Sequence, residues 1–151
     1  MVRLNDLRES TQRALLDLDC PDYGPTRPVE GPPLAERTVA IVSTAGIHRR
    51  GDRPFSWGAR DFREIGRHER DMVISHVSVN FDRTGFQQDL NTIWPIDRLE
   101  ELAAGGHIGD VAPLGYSFVG ATSPTEMETA AAEAATAMRA AGVGAVLLAP
   151  V

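Results

Sequence analysis

The chain has 151 residues, 42% hydrophobic and 24% charged, which suits one globular domain with a real core and excludes disordered and fibrous classes. Its formal charge of −6 lacks the basic face that phosphate contacts need, and no apolar run approaches the roughly 20 residues that cross a bilayer, so neither nucleic acid nor membrane is an expected partner. All 15 basic residues are arginine, which excludes Schiff-base chemistry on a lysine of this chain, and the single Cys20 is too little for an internal disulfide or a CxxC pair.

Leu4, Leu7, Ala14, Leu15 and Leu18 recur at helical spacing, so the first eighteen residues are expected to form an amphipathic helix packed on the body. Charges run through what would be the apolar core of a secretory signal, so a cytoplasmic protein is expected. Cys20-Pro21 ends the helix, and Pro25, Pro28, Pro32 and Pro33 hold the chain extended, because proline fixes φ and donates to no ladder. Residues 1–33 thus read as a helix and proline-rich arm, with Cys20 an inert thiol, and residues 34–151 as an α/β domain.

Thr38 to Val42 is β-branched and apolar on both faces, as an interior parallel strand should be, and it ends in the small residues Ser43-Thr44-Ala45-Gly46. Ile47 to Phe55 reads as a polar, basic loop and Phe62 to Ile65 as a short edge strand. Met72-Val73-Ile74 is a second buried strand, running through Ser75-His76 into a long polar loop where Asp82, Gln87, Gln88, Asp89 and Asn91 crowd around Gly85. A helix starts at Pro95 and stops at Gly105-Gly106. Tyr116 to Val119 is a third strand, Ser123-Pro124-Thr125-Glu126 a capping box opening an alanine-rich helix to Ala141, and Ala145 to Ala149 a last apolar strand. Strands alternating with helices predict a single α/β domain with a parallel, flavodoxin-like (Rossmann-like) sheet and helices on both faces.

Such sheets keep their sites at the carboxyl ends of their strands. Those ends offer Ser43, Thr44 and His48, then Ser75, His76 and Asp82, then Tyr116 and Ser117, as a small-molecule edge; the same hydroxyls also suit turns and caps. Asp89 and Asn91 either bind substrate or bond their own loop in Asx turns. No close H-x-x-x-H spacing supports a metal through His48, His76 and Asp82, and neither GxGxxG nor a Walker lysine is present, so no metal and no nucleotide cofactor are expected.

Four stretches carry a resemblance: GPPLAERTVAIVSTAGIHRRGDRPF, SHVSVNFDRTGFQQDLNTIWPIDRLEEL, IGDVAPLGYSFVGAT and GAVLLAPV. Together they resemble the selenoprotein B family of glycine, sarcosine and betaine reductases, and are similar to the selenium-containing subunit of proline reductase. The likeness spans Glu30 to Val151, and its DxxGxxQDLNxxxPxDRLxEL run, Asp82 to Leu102, is long and specific. In that family a strand of the form VLLxPV leads into a selenocysteine or cysteine. The resemblance therefore implies a selenium- or thiol-dependent reductase that cleaves a C–N bond of a small substrate, beside a pyruvoyl-containing or selenoprotein partner subunit. It also implies a nucleophile just beyond Val151, so that the chain is expected to be a truncation, inactive as it stands, its uncovered last strand favouring homo-oligomers. By position, His76 or His48 would move protons, and Thr44, Ser75, Asp82, Asp89, Asn91 and Ser117 would orient substrate. The rival reading is a non-catalytic small-molecule-binding or regulatory module with the same fold.

Overall fold

The computed structural model describes residues 3–17, 21–26, 29–78 and 83–151. In chain order they form α1 (Glu9–Leu16), β1 (Thr38–Ser43), β2 (Ile47–Arg49), β3 (Arg63–Gly66), β4 (Met72–Ile74), α2 (Thr84–Gln88), α3 (Ile96–Ala104), β5 (Asp110–Val111), β6 (Leu114–Ser117), α4 (Pro124–Ala140) and β7 (Val143–Ala149).

The run that reads as an interior strand is the middle of the main sheet. β7 pairs parallel along the whole of β1, and β5 and β6 share the other edge of β1, also parallel, at Thr38–Val39 and Val42–Ser43 respectively. β3 lies outside β6 and runs antiparallel to it, with Arg63 opposite Ser117 and Ile65 opposite Gly115. The all-parallel, flavodoxin-like expectation is therefore corrected: the sheet is mixed. Parallel neighbours need a crossover connection, and residues 47–74 contain no helix to supply one, so their short strands fold back instead. Gly46, at φ 68°, turns the chain out of β1 in a conformation that favours glycine. Consequently Ile47 to Arg49, expected as loop, is a strand, and it pairs antiparallel with β4 in a separate two-stranded ribbon. The second predicted strand thus never joins the main sheet.

The two faces of β1 carry two cores. Val39 and Ile41 pack with Trp94, Ile96, Leu99 and Val111 under α3, whereas Ala40 and Val42 pack with Tyr116, Phe118, Ala130, Ala134 and Met138 under α4. Helices do cover both faces, as the apolar alternation required.

Two terminal expectations fail. α1 is eight residues long and none of them is buried; its apolar residues Ala14, Leu15 and Leu16 are consecutive, which makes no stripe to face the body. Leu18 and Cys20 lie outside the described residues. At α4 the Ser123 side chain makes no cap hydrogen bond, and Glu126, which would complete a capping box, pairs with Arg60 instead.

One contact fixes how α3 and its approach sit on the sheet. A Cβ at Gly115 would lie 2.5 Å from the Trp94 ring, so the buried indole rests directly on the backbone of β6. Gly115→Ala should overpack this contact and cost about 1–3 kcal/mol. Urea denaturation measures it, and an unchanged midpoint would mean that the ring yields freely.

Candidate functional site

Backbone hydrogen bonds knit four strand ends together. Thr44 N donates to Ala149 O (3.2 Å), Phe118 N to Ser43 O (2.8 Å), Gly46 N to Phe118 O (2.8 Å) and Ser75 N to Gly46 O (3.0 Å). The ends of β1, β4, β6 and β7 therefore meet around the Thr44–Gly46 turn. The backbone at residues 75 and 76 packs so closely on Gly46 that an added Cβ would stand 3.2 Å from His76 N. Thr44 is wedged on the other side: its Oγ1 accepts from Val151 N (2.9 Å) and donates to Val151 O (3.3 Å). A Cβ at Gly120 would reach within 3.0 Å of the Thr44 side chain.

Within this edge, two residues named separately from the sequence form a pair. His48 is buried, its Nδ1 lies 2.8 Å from Arg49 O and its Nε2 lies 2.6 Å from Ser75 Oγ. A carbonyl only accepts, so in the neutral ring Nδ1 carries the proton and Nε2 accepts the Ser75 hydroxyl. The hydroxyl sits on a base whose tautomer is fixed from behind, the arrangement that lets a serine pass a proton. Both residues are legible in the sequence, but the β2–β4 pairing that joins them is not.

His76 is buried as well, and Ser78 N donates to its Nδ1 (3.2 Å), while Arg83 donates to His76 O (2.7 Å). Burial first, and then the charge of Arg83, push the imidazole below its ordinary value, so it is mostly neutral at pH 7. Ser117 and Ser43 are register partners on neighbouring strands and both are fully buried. Ser43 Oγ accepts from Ala45 N (3.2 Å), whereas Ser117 Oγ has no hydrogen-bond partner among the described residues.

Asp89 and Asn91 are engaged elsewhere. Asp89 Oδ1 accepts from both Asn91 N and Asn91 Nδ2 (2.9 Å each), and Asn91 exchanges further hydrogen bonds with Asp97 at the start of α3. The side-chain amide of Asn91, then its backbone N–H, holds the Asp89 carboxyl below the usual carboxylate range. Of the two readings open for this pair, the contacts are those of the turn and helix start. Asp82 lies outside the described residues. Among the described residues no group of three His, Cys, Asp or Glu side chains is placed to hold a metal ion, and no helix is long and apolar enough to cross a membrane.

A larger cleft, about 810 Å³, lies at the opposite end of the sheet, lined by Arg49, Glu64, Arg67, His68 and Asp110. Its arginines are already paired, Arg67 with Glu100 and Asp110 (3.0 Å each) and Arg49 with Asp52 (3.1 Å). Size alone would choose this cleft; the polar groups of the strand ends lie at the Thr44 edge, with the unpartnered Ser117 Oγ among them.

Fold and edge together define a mixed α/β domain that gathers polar groups where parallel strands end. A sequence model of the glycine/sarcosine/betaine reductase selenoprotein B family matches residues 16–151, and the chain belongs to that family. It is also 34% identical over 120 residues to the D-proline reductase subunit gamma of Acetoanaerobium sticklandii, an alignment covering 76% of this chain and 49% of that protein. The chain therefore spans about half the length of this curated relative. No solved structure matches it.

The lowered pKa of His76 has a stability consequence with a definite sign. Below about pH 6.5 the ring protonates in the unfolded chain but resists protonation in the fold, so stability falls as pH drops toward the lowered folded value, by at most about 1.4 kcal/mol per pH unit. Replacing His76 by Gln should flatten the pH dependence of the urea midpoint in that window. An undiminished slope would assign it to other groups.

Proposed function

We propose that the chain is the part of a selenium- or thiol-dependent reductase that supplies the polar wall of the reaction site, for reductive cleavage of a C–N bond in a small substrate. The convergence of Thr44, Ser75, His76 and Ser117 on one edge of a domain of this family carries the reading. The donor set fits such a site: a buried hydroxyl at Ser117 without a partner among the described residues, and a serine hydrogen-bonded to a buried histidine. A selenolate, or a thiolate whose pKa the site lowers, would supply the carbon-attacking nucleophile, its bond to carbon forming as the C–N bond breaks, and a thiol would supply the two electrons that release the reduced product. The chain's own residues then manage the proton. When His48 is protonated its Nε2 donates to Ser75 Oγ, and the Ser75 hydroxyl hydrogen passes outward to the departing amine. Thr44 orients the substrate, while Ser117 is fully buried, and neutral His76, its Nδ1 taken by Ser78 N, donates a hydrogen bond from Nε2.

The substrate lies among small amino acids and betaines of the kind named in the relatives, and the companion subunits are those of a multi-subunit reductase, a pyruvoyl-containing one among them. A second reading, a non-catalytic binding or regulatory module, is favoured by one observation: the chain's single cysteine, Cys20, stands in sequence well before β1 and the strand ends that form the polar edge. Leaving the chain out of the assembled reductase separates the two: loss of C–N cleavage is the expected result, and cleavage that persists favours the module.

A kinetic test addresses the relay. In the assembled reductase, assayed with D-proline, glycine and sarcosine, Ser75→Ala should lower kcat about 10²–10⁴-fold and alter its pH profile, with KM little changed. An unaltered kcat and pH profile would remove Ser75 and His48 from the chemistry.

A further inference from the structure

The side of the sheet opposite β3 is unfinished. Two apolar clefts, of about 370 and 250 Å³, lie between α4 and the sheet and share Val42, Phe118 and Ala131, so they form one trough; it runs from Met127 near the Thr44 edge to Val146 and Leu148 of β7. β7 pairs with β1 on one edge, and its other edge has no strand beside it among the described residues. Val146, Leu147 and Leu148 are 41%, 37% and 69% exposed. Sheet edges that stay single carry charge, proline or bulges along their length. Here residues 143–151 hold no charge, the only proline follows the strand, and the one irregularity falls at the start of β7, where Thr38 pairs with Val143 and Val39 with Ala145.

We propose that this edge is the interface of a two-fold homodimer in which β7 pairs antiparallel with β7 of a second copy, centred on Leu147. The regular stretch Ala145-Val146-Leu147-Leu148-Ala149 reads nearly the same in both directions. About a dyad at Leu147, Val146 faces Leu148 of the partner copy and Ala145 faces Ala149, so large meets large at the centre and small meets small at the flanks. Backbone geometry agrees. Ala149 turns its carbonyl to Thr44 N, so by the alternation of a ladder Val146 and Leu148 turn their N–H and C=O groups to the open side. Those two residues would exchange paired hydrogen bonds with their counterparts, while Leu147 meets its copy at a non-hydrogen-bonded pair. Val146 and Leu148 lie on the α4 face, as register partners of Ala40 and Val42, so the dyad would join the two troughs into one continuous apolar seam. A strand without charge offers nothing by which to select a foreign partner, whereas an isologous interface requires only that it complement itself. The proposal does not rest on the reductase reading.

Light scattering on the 151-residue chain should give twice the 16.3 kDa chain mass. Val146→Lys and Leu148→Glu, both at exposed positions, should each run at one chain mass with the thermal midpoint and circular dichroism of a folded protein. Mixing the two variants should restore the doubled mass, because the introduced charges face each other only in the register stated. In the unmodified protein the Val146 and Leu148 amides should become more protected against hydrogen exchange as concentration rises. A single-chain mass at every concentration up to millimolar, a dimer indifferent to both variants, open-ended assembly, or a mixture that stays monomeric would each overturn the proposal.

Discussion

The structure depends on β1 being used on all four sides. Its two edges are hydrogen-bonded to β7 and to β5 and β6, and its two faces are packed under α3 and α4. Fully burying one such aliphatic side chain is worth about 1.5–3 kcal/mol, and Val39 and Ile41 spend theirs on the α3 side. Because the strand is committed in every direction, the chain must leave it abruptly. Gly46 supplies that exit, and its own N–H and C=O are used at once to tie Phe118 and Ser75 to the turn. The polar edge is thus a by-product of how the central strand ends.

That logic explains what could be read from the residues. β1 was legible because a run apolar on both faces has few other places to go, and α3 and α4 because their stop and start signals bracket them. Pairing partners were not legible. Nothing in Arg63–Gly66 states its direction, and nothing in Ile47–Arg49 announces Met72–Ile74 as its neighbour. Local motifs misled where a tertiary partner competed: Glu126 has the spacing of a capping box, yet its carboxylate goes to Arg60.

The candidate site divides in the same way. Each of Thr44, Ser75, His48, His76 and Ser117 could be named from its place at or just beyond a strand end. The coupling of Ser75 to His48 could not, since it exists only through the ribbon that the sequence presented as a loop. Asp89 and Asn91 show the converse, for an Asx pattern strong enough to suggest ligand binding is satisfied within its own turn and the start of α3. A crowd of polar residues in one loop is ambiguous until the hydrogen bonds are assigned.

The ladder between β1 and β7 also orders events in time. Thr44 and Val151, bonded side chain to backbone, stand 107 residues apart in sequence. Contacts of such separation must close a long loop before they return any energy, which makes folding slow and cooperative. The strand at the centre of the sheet is therefore made early and finished last. Until β7 docks, that edge of β1 lacks its ladder partner along its whole length, and the middle of the sheet is incomplete.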